Sequence, residues 1–343
     1  MATIGTTYPT LVDAHKQSAE GQVLEILSQQ GPILDDAMAV ECNMQAIHRH
    51  MIRTGLPSVA WGRLYQGIPQ SKATMQQVDD TTGFLEAASA VDTRLLALAN
   101  DQARMRLTES APFLEAMNQE MATGIFYHDT ATTPEKFKGL AARYSAYYAG
   151  ANNTKPNNAA GQVVDGGGRG SDNTSIWFVT WGDHATHLLF PKGTKAGISV
   201  EDKGEQRVTD GTGPYYVKET LFRWHLGLAV KDWRYNARVA NIDVSDMLSG
   251  SVDLWALLRK GYYRLQSRRR DAKASRIAVY MNRDVLEILD AQSSDRALLA
   301  ANPNYTGLSQ ATIEGKEVKT YRGIPIRETD AILNTEAALS AYS

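Results

Sequence analysis

The sequence predicts a mixed α+β fold, and three observations carry that prediction. Apolar runs of strand length recur without a helix between each pair, so the regular βαβ rhythm of a doubly wound sheet is missing. One stretch, residues 90–124, keeps apolar residues at helical spacing for longer than any other. Clusters of glycine, asparagine and proline punctuate the runs between them.

Bulk properties narrow the function classes. A chain of 343 residues, 43% hydrophobic, can bury two or three packed units. No run approaches the ~18 to 20 consecutive apolar residues that span a bilayer, and "MATIGTTYPTLVDAHK" lacks the basic start and apolar stretch of a secretory signal. Membrane insertion and secretion are therefore not expected. Cys42 is the single cysteine, which excludes an intramolecular disulfide and a cysteine-based zinc cage. The 36 Lys and Arg against 38 Asp and Glu give no reason to expect the large counterion release of a dedicated nucleic-acid binder.

Taken in order, "LVDAHKQSAEGQVLEILSQ" and "LDDAMAVECNMQAIHRHMI" hold apolar positions at helical spacing on either side of Gly31 and Pro32. Asp35 or Asp36 caps the second, with Cys42 on its apolar side. They predict a two-helix arm. "SVAWGRLYQ" and "KATMQQVDD", separated by "GIPQS" and closed by Gly83, predict a long hairpin whose half-polar strands have no buried face of their own. In the 90–124 stretch, Leu95, Leu98, Gln102 and Met105 share a face; Pro112 predicts a break near 108–110, where Ser110 caps a second segment, and Gly124 is the expected stop.

Residues 150–173 read as a flexible surface loop by their asparagine and glycine content. Strands follow in "SIWFVTW", "THLLF", "YYVKETLFRWHLGLAVKD" and "YNARVANIDV". The last hundred residues alternate: "VDLWALLRKGYYRLQSRRR" is helical, "RIAVYM" a buried strand, "NRDVLEILDAQ" a helix capped by Asn282, and "GIPIRETDAIL" a late strand.

Candidate sites each meet a plain structural alternative. Asp183, His184 and His187 suggest a metal, but on a strand His184 faces away from both others, so the window does not converge three ligands. Gly166, Gly167, Gly168 and Gly170 invite a phosphate loop; the Gly-Lys-Ser/Thr ending and the following helix are both lacking. "RRRDAK", 268–273, is the one dense basic cluster and reads as a solvated or intersubunit patch, or as a contact to a nucleic-acid backbone. The signatures Gly-x-Ser-x-Gly, His-Glu-x-x-His and Ser-x-x-Lys are absent. No catalytic residue, metal ligand or cofactor site is expected.

The order of parts, together with "RTGLPSVAWGRLYQGIPQSK", "FLEAMNQEMATGIFY", "SDNTSIWFVTWG", "FPKGTKAG", "KDWRYNARVANIDVSDM" and "YRGIPIRETDAIL", resembles the major capsid proteins of tailed bacteriophages with the Hong Kong 97-type fold. The resemblance spans nearly the whole chain. It implies an N-terminal arm over 1–54, an extended loop over 55–83, and the spine helix of a peripheral domain over 84–130. It further implies a glycine-rich loop with connecting strands over 131–213, long peripheral strands over 214–248, and an axial domain over 249–343. The strand-Asn-helix unit and its Gly-x-Pro-aliphatic partner follow the long strands instead of preceding them, so the fold is expected to be circularly permuted.

For function, the resemblance implies a non-enzymatic shell protein of the virion. It assembles in the host cytoplasm into hexamers and pentamers around double-stranded DNA touched non-specifically. A scaffolding protein, a portal at one vertex and a decoration protein are the implied partners, with no membrane. The start at Met1 fits a scaffold supplied as a separate protein. Trp61, Leu64 and Tyr65 on the hairpin are the expected intersubunit contacts. Two rivals are a cytoplasmic metal- or nucleotide-dependent hydrolase using residues 165–173 with His184 and His187, and a different phage structural part of tail or connector type.

Overall fold

The computed structural model describes residues 31–65, 67–98, 101–150, 156, 158–209, 213–266, 275–294, 309–313 and 316–342. The first expected arm helix and the basic cluster at 268–273 lie outside them. The described residues divide into two compact units, one from Leu85–Glu120 and Gly197–Trp224, the other from 31–84, Met121–Ala196 and 225–342.

The first unit is a helix beside long strands. β3 (Thr74–Asp92) enters it at Leu85, α2 (Thr93–Leu98) follows, and α3 (Gln102–Tyr127) contributes its residues up to Glu120. β8 (Ile198–Thr209) and β9 (Pro214–Val230) form a hairpin in register from Ile198↔Trp224 to Thr209↔Pro214. Between Asp202 and Gly204 the register shifts, at a glycine whose φ of +73° suits a bulge. Phe113 stacks on Phe222 with centroids 6.3 Å apart, and Arg106 reaches Asp202 at 2.9 Å and the Thr220 hydroxyl at 2.8 Å.

The expected helix break is displaced. α2 ends at Leu98 and α3 starts at Gln102, while Pro112 lies inside α3 without ending it. Ser110 is not a cap: its hydroxyl donates to the Arg106 carbonyl at 2.7 Å, and Thr108 does the same to Arg104 at 3.0 Å, so both bond back along the helix. Gly124 does not stop the helix either. A Cβ there would lie 2.3 Å from the His128 ring, so glycine serves a close approach.

The second unit is built on β6 (Asn173–Trp181), in which every residue is buried. A strand covered on both faces needs no polar alternation, which explains its continuous apolar run. β11 (Arg276–Met281) lies antiparallel on one side of β6, followed by β14 (Ile324–Glu328) parallel to β11, then β13 (Lys316–Tyr321) and β12 (Ser309–Ile313). β10 (Ala237–Asp243) pairs antiparallel with β6 and parallel with β5 (Val163–Asp165). β7 (Thr186–Phe190) pairs with the end of β9 and with β1 (Ala39–Glu41).

Short elements join these strands, α4 (Leu140–Arg143), β4 (Ala146–Tyr147) and α5 (Val244–Leu248), and alternate side chains of β6 feed two layers. Ile176 and Phe178 join Val239, Val279 and Ile326 under α6 (Leu254–Arg264) and α7 (Arg283–Ser294), which contribute Leu254, Leu258, Val285 and Leu289. Trp177 meets Phe126 and Tyr144 at centroid distances of 6.1 and 5.9 Å. Gly261 brings α6 close to the sheet, since a Cβ there would lie 2.6 Å from Phe178. Asn282 caps α7 as expected, accepting from the Asp284 amide at 3.1 Å.

Two expectations fail in this unit. The second arm helix reduces to one turn, α1 (Ile33–Asp36), and the chain then forms β1 and β2 (Ile47–Gly55). Pairing decides against helical spacing: β2 runs antiparallel to β3 from Ile47↔Thr81 to Gly55↔Thr74, and Arg49 forks onto the facing Asp79 at 2.8 and 2.7 Å. Cys42 therefore packs beside Leu189 and Ala229 instead of on a helix. The segment 159–165 is no surface loop either, whereas 166–172 remain a loop. A 3₁₀ turn at Ala159–Gln162 and β5 are largely buried, and the Gly166 and Gly168 amides donate to Ala240 and Asn241 at 2.8 Å each.

Candidate functional site: an exposed apolar loop

The hairpin is longer than its sequence suggested: the second expected strand, 72–80, falls almost entirely in β3, while the first is displaced to β2. Residues 58–65, expected as a strand, form none; β2 and β3 supply the ladder and 56–73 make an open tip between them. Pro57, Gly62, Gly67 and Pro69 explain the loss, since prolines and glycines weaken a ladder that has no partner. Ser71 donates to the Ser58 carbonyl at 2.7 Å, one of the contacts drawing the two sides of the tip together.

The tip places Trp61, Leu64 and Tyr65 outward, with Trp61 99% and Leu64 92% exposed. Leu56, Val59 and Ile68 are exposed beside them. Tyr65 has φ +62°, an uncommon left-handed turn for a non-glycine residue. Removing a side chain of this size from water is worth about 1.5–3 kcal/mol, so a lone chain leaves this apolar tip unsatisfied. Scattered exposed apolar residues are ordinary; six within thirteen positions of one loop make a surface fit for association.

The residues that a hydrolase would use do not come together among the described residues. Asp183 and His184 are exposed in the turn before β7, where Asp183 binds Lys231 at 2.9 Å, whereas His187 is fully buried in the strand. Among the described residues no group of three His, Cys, Asp or Glu could hold a metal. Burial above all, then the Lys231 and His48 charges, lowers His187 to about 4. The Gly166 and Gly168 amides serve the ladder to β10 and offer no phosphate cradle.

Sequence reading missed a buried ion pair. Arg238 reaches Glu336 at 2.8 Å; Tyr127 and Ser175 donate to the same carboxylate, and Arg238 also donates to the Tyr144 carbonyl at 3.0 Å. Its guanidinium sits 4.7 Å over the Trp177 ring. Tyr127 is pushed well above the ordinary phenol range, by burial first and then by the Glu336 charge. The only local sign was one charged residue inside the apolar run "NARVANI".

Comparison with known proteins follows the same direction. The family model of major capsid protein GP7 matches residues 15–340. A chain of the near-atomic cryo-EM structure of bacteriophage epsilon15 is 31% identical with TM-score 0.70, covering 99% of both chains. The capsid of a native GTA particle matches at 10% identity and TM-score 0.44, covering 65% of this chain and 94% of its own. The SrpI encapsulin of Synechococcus elongatus PCC 7942 matches at 12% identity and TM-score 0.43, covering 68% and 95%. No curated protein sequence matches the chain. A family match over almost the whole length, with a relative aligned from end to end, means that the chain belongs to the major capsid protein GP7 family, structural and not enzymatic proteins of phage heads with the Hong Kong 97-like fold.

Proposed function

We propose that copies of this chain associate as hexamers and pentamers into an icosahedral head shell around double-stranded DNA, with the tip of the extended loop seated on a neighbouring copy. The observation that carries this is the outward apolar set Trp61, Leu64 and Tyr65 on the exposed tip of the hairpin. Closed symmetric assembly multiplies each modest contact over the whole shell. A scaffolding protein, a portal and a decoration protein are the partners such a shell calls for, and the host cytoplasm is where it forms. The order of β9 before β11, α7 and β14 supports a circularly permuted arrangement, with 249–343 as the axial domain.

Electron microscopy of the expressed chain tests the reading. Wild type yields shells or capsomers. Trp61→Ser, Leu64→Ser and Tyr65→Ser together yield folded, dispersed subunits, because the tip makes no core contact that the substitutions could break. Shells from the triple variant at the same concentration overturn the assignment of the contact.

A further inference from the structure

We infer that the second unit carries a binding site for a phosphate group, in a cavity of about 580 Å³ between α6, the end of β5 and the turn that holds Arg169. The volume falls within the ~300–1,000 Å³ usual for small-molecule sites. Four cations line it, Arg169, Arg259, Lys260 and Arg264, against a single carboxylate, Asp165.

That carboxylate is already committed. Asp165 accepts both ends of the Arg169 guanidinium at 3.0 and 2.7 Å, together with the Asn241 amide at 2.9 Å and the Gly167 N–H at 3.2 Å. Burial alone would raise its pKa, yet these donors hold it below the usual carboxylate range. The pair cancels its own charge, and among the described residues the three positive charges that α6 brings to the cavity have no carboxylate partner.

The helix explains why those charges collect here. Asp253 caps α6 at the Ala256 amide, and Leu254, Trp255, Leu257, Leu258 and Gly261 bury one face against the sheet. What is left to face the cavity is Arg259, Lys260, Tyr263 and Arg264. Arg264 donates to the Gly161 carbonyl at 2.7 Å and has no carboxylate partner among the described residues; burial lowers its pKa, and an incoming anion would relieve that charge. Arg322 adds to the positive field, donating to the Tyr263 hydroxyl at 3.1 Å. Guanidinium groups recognise tetrahedral oxyanions through forked hydrogen bonds, and Tyr147, which accepts from Arg169 at 3.2 Å, still has its hydroxyl proton to give. An excess of three positive charges suits a ligand of more than one negative charge better than a single carboxylate.

Binding of inorganic phosphate to the full-length, unassembled subunit tests this, by calorimetry and by melting in phosphate against chloride at matched ionic strength. Arg259→Gln with Lys260→Gln alters two exposed side chains and is expected to weaken phosphate binding tenfold or more. Lys192→Gln with Lys195→Gln removes the same charge elsewhere and leaves binding unchanged. A double-stranded oligonucleotide added as competitor identifies the source. Displacement of phosphate assigns the site to a nucleic-acid backbone, and failure to displace assigns it to a free phosphate compound; both uphold the site. No phosphate binding by wild type, equal loss in both double variants, or displacement by polyglutamate at lower concentration than by phosphate overturns it. None of these outcomes depends on shell assembly, so the site and the shell contact fail separately.

Discussion

Acidification should loosen the second unit through His187, by an amount the surroundings set. Its ring is fully buried, 5.5 Å edge-on from His48, which lies 6.2 Å from His50. The charged groups around this cluster are Lys231, held by Asp183 at 2.9 Å, and Arg143, held by Asp80 at 2.7 Å. Asp80 also stands 3.8 Å from His50. Burial lowers all three histidines, His187 from 6.5 to about 4. A histidine whose folded pKa is depressed costs nothing above the unfolded value. Below it the unfolded chain takes up the proton first, so stability falls between 6.5 and about 4 and then levels off. For His187 alone the loss is about 2 kcal/mol at about pH 5 and about 3 kcal/mol at about pH 4.

Urea unfolding of the unassembled subunit, followed by tryptophan fluorescence across that range, reads the loss. Paired carboxylates such as Asp79 also lose stability in acid, so the comparison is with His187→Gln, which lacks the titrating ring. The variant should be less stable at neutral pH and show a shallower decline. Imidazole NMR gives the second reading. A His187 that titrates near 6.5, or equal declines for wild type and variant, would refute the reasoning.

Further outcomes follow from the packing. Glu336→Ala strands Arg238 in the interior and should cost about 3–5 kcal/mol in urea unfolding; a loss under about 1 kcal/mol would mean that the pair is solvated. Gly261→Ala sets a helix-propensity gain of about 1 kcal/mol against a Cβ placed 2.6 Å from Phe178, and overpacking at about 1–3 kcal/mol should prevail. A variant that melts higher than wild type contradicts that. The Cys42 thiol, raised to about 11 by burial and then by Glu41, should resist thiol reagents at about pH 8 until the chain unfolds. Labelling of the folded chain at the unfolded rate would show that the thiol is open.

What the sequence made legible was the second unit's interior. "SIWFVTW", "RIAVYM" and the Asn282-capped helix carry their environment in their own residues, because a position covered on both faces must be apolar and a helix start must be capped. The polar strands were opaque. β8, "ISVEDKGEQRVT", has few apolar residues and owes its conformation to eleven register pairs with β9. β2 was misread for the same reason: "IHRHMI" fits helical spacing locally, and only β3, some thirty residues on, makes it a strand. The exposed loop tip was visible as apolar residues without a partner. The phosphate cavity was not, because Arg169 and Arg264 meet only after the fold closes.

The Arg238–Glu336 pair also sets an order of events during synthesis. Its two members are 98 residues apart, and Tyr127 and Ser175 wait for the same carboxylate. While the ribosome has yet to deliver position 336, the cation opposite it has no counterion and β6 and β10 cannot close over it without penalty. Nascent chains thus stay short of the finished tertiary structure until translation has passed that point, so the last residues to be made complete an interior begun far upstream.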